Sequence, residues 1–266
     1  ELKKTLIQNA DDEIFELDNK MISRLLNMDF NVLENIVSIS LEPNELVDEF
    51  FEKNPILKSM NIYLNGQYSI CKEDLDKINF YFGKYENVFL HIDGNDEAVS
   101  ISDYKKTVNA IDEIVAKIKK YNLSPLEQIM YAYDLVRDRV YTKENEDESL
   151  TTSRDLTSVL LGDKIVCVGY ANIFDKVLSN LGINTMMYSI KNKDKTQRGH
   201  RRNIVRVNDP KYNVDGVYYF DTTWDSKRSA SDHDYLNSYR FFAKLKEDIE
   251  IYDNRFTDRT FEGYHE

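Results

Sequence analysis

The chain has 266 residues, 41% of them hydrophobic and 31% charged, with a formal net charge of −12. Such a composition is neither disordered nor membrane-like, and the length suffices to bury a core without covalent staples. The acidic balance excludes a general nucleic-acid binder, which needs surplus Lys and Arg on one face, although Arg198, Arg201, Arg202 and Arg206 form a local basic run.

Two cysteines, Cys71 and Cys167, are too few for a disulfide framework at this length. No run approaches 18 apolar residues, so no membrane span is expected. The chain opens on Glu1 rather than Met and reads as a trimmed or mature form. That leaves the compartment open between secreted or cell-surface after processing and cytoplasmic.

In chain order, a helix is expected over 12–28, alternating strand-like runs over 32–41 and 61–71, and a short helix over 44–51 that stops before Asn54-Pro55. Residues 85–92 read as a strand with Asp93-Gly94 as its turn. Residues 1–100 thus form a mixed α/β region of unknown role, and no internal repeat is visible in them. The pattern then turns helical. Val108, Ile111, Val115 and Ile118 make a stripe over 104–121. Ser124-Pro125-Leu126-Glu127 combines an N-cap, a Pro at the first helical position and a capping-box Glu, opening a helix that runs to about Arg139. The acidic run 144–148 reads as a solvated loop.

From Cys167 the apolar spacing is helical through Ala171, Phe174, Leu178 and Leu181, and Gly182 supplies a C′ residue. Cys167 therefore lies in the first turn of a helix, where free N–H groups and the positive end of the macrodipole favour a thiolate. On this spacing by itself, Cys167 is equally a buried structural thiol and a nucleophile. Strands follow over 183–190, 200–207 and 217–223. A hairpin with a six-residue loop at 208–213 would set His200 directly opposite Asp221, within reach of a hydrogen bond. A Cys at a helix start, a His on a strand and an Asp beside it supply nucleophile, base and orienter. Other candidates are weaker. Cys71 reads as a structural thiol at a strand end, His91 as a core or edge residue, and Asp232-His233-Asp234 as a poor metal motif because adjacent side chains point alternately. No Gly-rich phosphate loop, zinc knuckle or CxxC occurs, so neither cofactor nor metal is expected.

Val166-Cys167-Val168-Gly169-Tyr170-Ala171, then Gly199-His200, then Tyr219-Phe220-Asp221-Thr222-Thr223-Trp224-Asp225, taken in this order, resembles the transglutaminase-like superfamily and its bacterial branch of cysteine proteases. The likeness covers about residues 101–266, the expected catalytic domain. It implies an α+β, papain-like core in which a Cys-bearing helix packs on an antiparallel sheet. It further implies Cys167 as nucleophile, His200 as general base and Asp221 as its orienter. Where the family often has Ala-Trp-Asn after the His, this chain has Arg201-Arg202-Asn203, which bears on the substrate groove. Tyr170, Arg201, Arg202 and Trp224 are the groove candidates, although solvent exposure for each Arg and a packing role for Trp224 are the plainer readings. The implied activity is thiol-dependent acyl transfer on peptide or glutamine amide bonds of a protein or peptide substrate, with protease favoured. A crosslinking transglutaminase, a deamidase and a non-catalytic binding module on the same fold are the alternatives.

Overall fold

In the computed structural model, the residues described are 15–17, 38–41, 60–63, 70–84, 88–142, 151–192, 199–237, 239–246, 248 and 256–262. The expected helix over 44–51 and the acidic run 144–148 lie outside them. The chain is mixed helix and sheet, of the α+β kind, and divides into two compact units, Glu1–Val108 and Asn109–Glu266.

The first unit holds a five-stranded sheet in the order β1 (Phe15–Leu17), β2 (Ser38–Leu41), β3 (Met60–Tyr63), β4 (Val88–His91) and β5 (Val99–Ser100). The first four strands are parallel and in step: Phe15 pairs with Ile39, Ile39 with Ile62 and Ile62 with Leu90, while β5 returns antiparallel. Residues 15–17, expected as helix, are strand. Three residues of sequence pattern cannot outweigh a ladder that satisfies their backbone groups. Helix α1 (Lys72–Phe82) is missing from the sequence reading. Leu75, Ile78 and Phe82 are buried, a stripe at spacings of three and four that a charged face interrupts. Cys71 is thereby corrected from a strand end to the N-cap position of α1, its thiol donating to Asp74 Oδ2 at 3.3 Å. His91 closes β4 half-buried, and burial lowers its pKa.

Helix α2 (Ile101–Lys119) buries Tyr104, Val108, Ile111, Val115 and Ile118 on its stripe. In the second unit, α3 (Pro125–Arg137) starts at the expected capping box, in which the Ser124 backbone N–H donates to Glu127 Oε2 at 2.8 Å. Two short helices follow, α4 (Thr151–Arg154) and α5 (Leu156–Leu161), then α6 (Cys167–Asn180). Gly182 takes φ +75°, the left-handed conformation that ends a helix and suits glycine.

The second sheet is antiparallel, in the order β8 (Val214–Phe220), β7 (His200–Asp209), β6 (Thr185–Asn192), β9 (Phe256–Glu262). On one face of β7, Asn203 donates to the Ala171 carbonyl of α6 at 3.1 Å, and Val205 and Val207 are buried. The opposite face carries an apolar cluster of Tyr188, Ile190, Ile204, Tyr219 and Phe241, with Met186 and Trp224 packed against it. The hairpin tip is anchored at Asp209. Its Oδ2 accepts from the Ser124 hydroxyl (2.6 Å) and the Leu126 N–H (2.8 Å), and its Oδ1 from the Lys211 N–H (2.9 Å). This carboxylate ties the β7–β8 turn to the amino end of α3.

Candidate active site

The segment leading into α6 is held before the helix begins. Thr142 N–H donates to the Ile165 carbonyl (2.9 Å), Ile165 N–H to Thr142 Oγ1 (3.0 Å) and Val166 N–H to the Ser153 carbonyl (3.0 Å). Val166 is the N-cap, extended at φ −122°, and its side chain has no oxygen to cap the first-turn amides. Cys167 therefore opens α6 half-buried at an uncapped, electropositive helix end.

His200, the first residue of β7, is buried and hydrogen-bonds the Cys167 thiol. Its Nε2 lies 2.5 Å from Asp221 Oδ2. The route to this contact differs from the expected hairpin. The loop is Pro210–Asn213, four residues rather than six, and Asp209 pairs with Val214 and Asn203 with Phe220. Continued one step, that register sets Asp221 across from Arg202, not His200. The slip is by two residues, which preserves the face, so His200 reaches Asp221 on the diagonal.

Asp221 is fully buried. Its backbone N–H donates to the Phe241 carbonyl (3.1 Å), and its Oδ1 accepts the Trp224 N–H (3.0 Å). Behind it, the Tyr133 hydroxyl of α3 lies 2.7 Å from Asp225 Oδ2 and 2.8 Å from the Asp221 carbonyl, and Asp225 Oδ2 also accepts the Phe241 N–H (2.9 Å). Tyr133 and Asp225 were absent from the expected site. Tyr133 shares the buried face of α3 with Ile129 and Val136, and its hydroxyl is the sign that a polar partner lies within the core.

The electrostatics form one coupled set. Burial opposes ionisation of Cys167, yet the His200 hydrogen bond and charge, with the Arg201 backbone N–H, hold its pKa below the ordinary thiol value. For His200, burial disfavours the charged form, but the Asp221 carboxylate and the Cys167 sulfur outweigh it and push the pKa up to about 9. Burial likewise works against the Asp221 carboxylate, and the charges of His200 and Arg202 keep it ionised below its usual range. These directions favour a thiolate beside a protonated imidazole and an ionised carboxylate.

Two groove candidates are corrected. Tyr170 is fully buried and its hydroxyl donates to the Arg139 carbonyl at 2.6 Å. Arg202 is 1% exposed, its Nε 3.4 Å from Asp221 Oδ2 and its Cζ 4.8 Å from the centre of the Trp224 ring, so it faces the site from inside the protein. Arg201 is half-buried and donates to Ser189 Oγ of β6 at 2.8 Å. Trp224 is half-buried and stacks on the His200 ring, centroids 4.8 Å apart and planes 12° from parallel. Of the Asp232-His233-Asp234 run, Asp232 accepts from the Arg228 and Asp234 N–H groups. Among the described residues, no cluster of three His, Cys, Asp or Glu could hold a metal ion, and no helix is long and apolar enough to cross a membrane.

Comparison with protein-family models and with curated proteins gives no match. Among solved structures, the crystal structure of a TGase is similar over 64% of this chain and 43% of that one, with 15% identity and a TM-score of 0.38. The chain thus spans less than half the length of that neighbour.

Proposed function

We propose that residues 101–266 are a transglutaminase-like, papain-type catalytic domain, and that Cys167, His200 and Asp221 carry thiol-dependent acyl transfer on amide bonds, with peptide hydrolysis as the favoured outcome. The observation that carries this reading is the hydrogen-bonded line from a helix-start thiol of lowered pKa, through an imidazole of raised pKa, to a buried carboxylate. Structural thiols in apolar surroundings shift the other way.

The Cys167 thiolate attacks the carbonyl carbon of a peptide or a glutamine side chain. A C–S bond forms and the carbonyl electrons move to oxygen, where the Cys167 N–H at the start of α6 supplies one stabilising donor. The oxyanion collapses, the C–N bond breaks, and the His200 imidazolium gives its proton to the departing amine. Neutral His200 then takes a proton from water as the water attacks the thioester. The acid is released and the thiolate returns. An amine in place of water gives a crosslinked product by the same steps.

The test compares the intact protein with Cys167→Ala across peptidase, glutamine-deamidation and amine-incorporation assays. The proposal expects one of these activities, abolished by the substitution. Iodoacetamide should label Cys167 at neutral pH much faster than Cys71, and equal slow labelling of both thiols would overturn the reading.

A further inference from the structure

Arg202 is a long cation taken out of water, and such a group costs heavily unless a charge and a surface receive it. Both are present. Its Nε is 3.4 Å from Asp221 Oδ2, the same oxygen that meets His200 Nε2 at 2.5 Å. Its guanidinium lies over the Trp224 ring, and that ring stacks on His200. The Trp224 backbone N–H fastens Asp221 Oδ1. One carboxylate and one indole therefore connect Arg202 and His200, which alternation along β7 already sets on one face. The charged and titratable groups around Asp221 are His200 and Arg202 of β7, Cys167 of α6, Tyr133 of α3, and Asp225 after β8.

Resting on the acyl-transfer reading above, we propose that Arg202 is a positioning residue of this site. It holds Asp221 as a carboxylate turned toward His200, and its fixed positive charge sets the pH window in which Cys167 is a thiolate beside a protonated imidazole. The alternative is that Arg202 fills space on Trp224. The two differ in their effect on titration. A buried cation lowers the pKa of each neighbour that can carry a proton, so its removal moves both limbs of the Cys167 reactivity profile to higher pH. For one buried charge close by, the expected move is about one pH unit. A packing role moves neither.

The experiment measures the rate of Cys167 alkylation by iodoacetamide against pH in a Cys71→Ser background, where one thiol reports and no substrate is needed. Arg202→Gln should shift both limbs upward by about one unit, and Arg202→Lys, which keeps the charge, should stay near the parent profile. An Arg202→Gln profile that superimposes on the parent overturns the proposal, as does an Arg202→Lys shift as large as that of Arg202→Gln. Circular dichroism and thermal melts check the fold. Should Arg202→Gln fail to fold, Arg202→Met keeps the stem on Trp224 and takes its place. If both neutral variants unfold while Arg202→Lys remains native, the charge serves folding and the proposal is overturned. His200→Ala in the same background separates the two readings. If His200 has no effect on the Cys167 profile, the acyl-transfer reading falls. If His200 moves the profile and Arg202→Gln does not, only the role of Arg202 falls.

Discussion

His200 and Asp221 meet on a diagonal of the β7–β8 ladder. Asn203 pairs with Phe220, so Asp221 follows on opposite Arg202, two positions from His200, and its Oδ2 still closes to 2.5 Å on Nε2. The carboxylate is thereby shared between the imidazole and a buried cation.

Asp221→Asn keeps the shape of this contact and removes its charge. The amide can present N–H to Nε2 and stabilise the wrong tautomer. Turnover in whichever amide assay proves active should fall by roughly 10²–10⁴-fold in kcat, with KM little changed. Alkylation of Cys167 at neutral pH should slow in parallel. A variant with unaltered kcat would remove Asp221 from the machinery.

Stability should carry the signature of His200. Its pKa is raised from 6.5, so the stabilisation is fully present below about 6.5 and is lost as pH rises through the folded value. Cys167, with a lowered pKa, contributes in the opposite sense, so the comparison belongs in Cys167→Ser. There the loss should be complete below pH 9, because the sulfur no longer helps to raise His200. Thermal or urea melts between pH 5.5 and 9.5 should show a decline on the order of 2 kcal/mol that Cys167→Ser/His200→Gln lacks. Parallel curves for the two proteins would refute the coupling.

Gly169 lies two residues after Cys167 because the helix needs a surface without a side chain there. A Cβ at this position would come 2.7 Å from Val159 Cγ1, 3.0 Å from Ile165 Cγ1 and 3.1 Å from the Ser153 carbonyl oxygen. Ser153 and Ile165 belong to the segments that hold the entry to α6. Gly169→Ala should therefore destabilise by about 1–3 kcal/mol and slow Cys167 alkylation by displacing the helix start. Melting curves with labelling rates check both, and an unchanged Tm would contradict the packing argument.

Tyr133→Phe tests the support behind Asp221. It removes the hydroxyl at 2.7 Å from Asp225 Oδ2 and 2.8 Å from the Asp221 carbonyl, yet keeps a ring that packs edge-on against Phe174 and Phe220. Loss of a donor to a buried carboxylate should cost about 1–3 kcal/mol in denaturant unfolding. Tyr133→Leu should cost more, since it also forfeits the ring contacts. Equal losses would mean that the hydroxyl contributes nothing.

Helices α2, α3 and α6 were legible because their signals are local: a stripe at spacings of three and four, a capping box at Ser124, a glycine past the last turn of α6. The parallel strands of the first unit were legible only in part. Partners 23 to 28 residues apart hydrogen-bond in step, as in Phe15–Ile39, Ser38–Asn61 and Met60–Val88, and nothing in three or four residues announces so distant a partner. Helix α1 and strand β9 went unread. The Asp221–Trp224 N–H contact hid in the Asp-Thr-Thr-Trp stretch, although Asp commonly accepts from backbone N–H groups just ahead of it in turns.

The sequence by itself determined the place of Cys167 at a helix start and the face on which strand residues fall, because helix starts and two-residue alternation are properties of neighbouring residues. Tertiary structure decided the rest. A hairpin loop of four residues rather than six moved Asp221 opposite Arg202, and only burial of both against Trp224 turned an expected groove arginine into a neighbour of the carboxylate. Tyr170 moved from groove candidate to core for the same reason: exposure depends on what packs against a residue, and those partners come from elsewhere in the chain. The thiol singled out at the start of α6 by a local pattern acquires its lowered pKa only when β7 brings His200 to it.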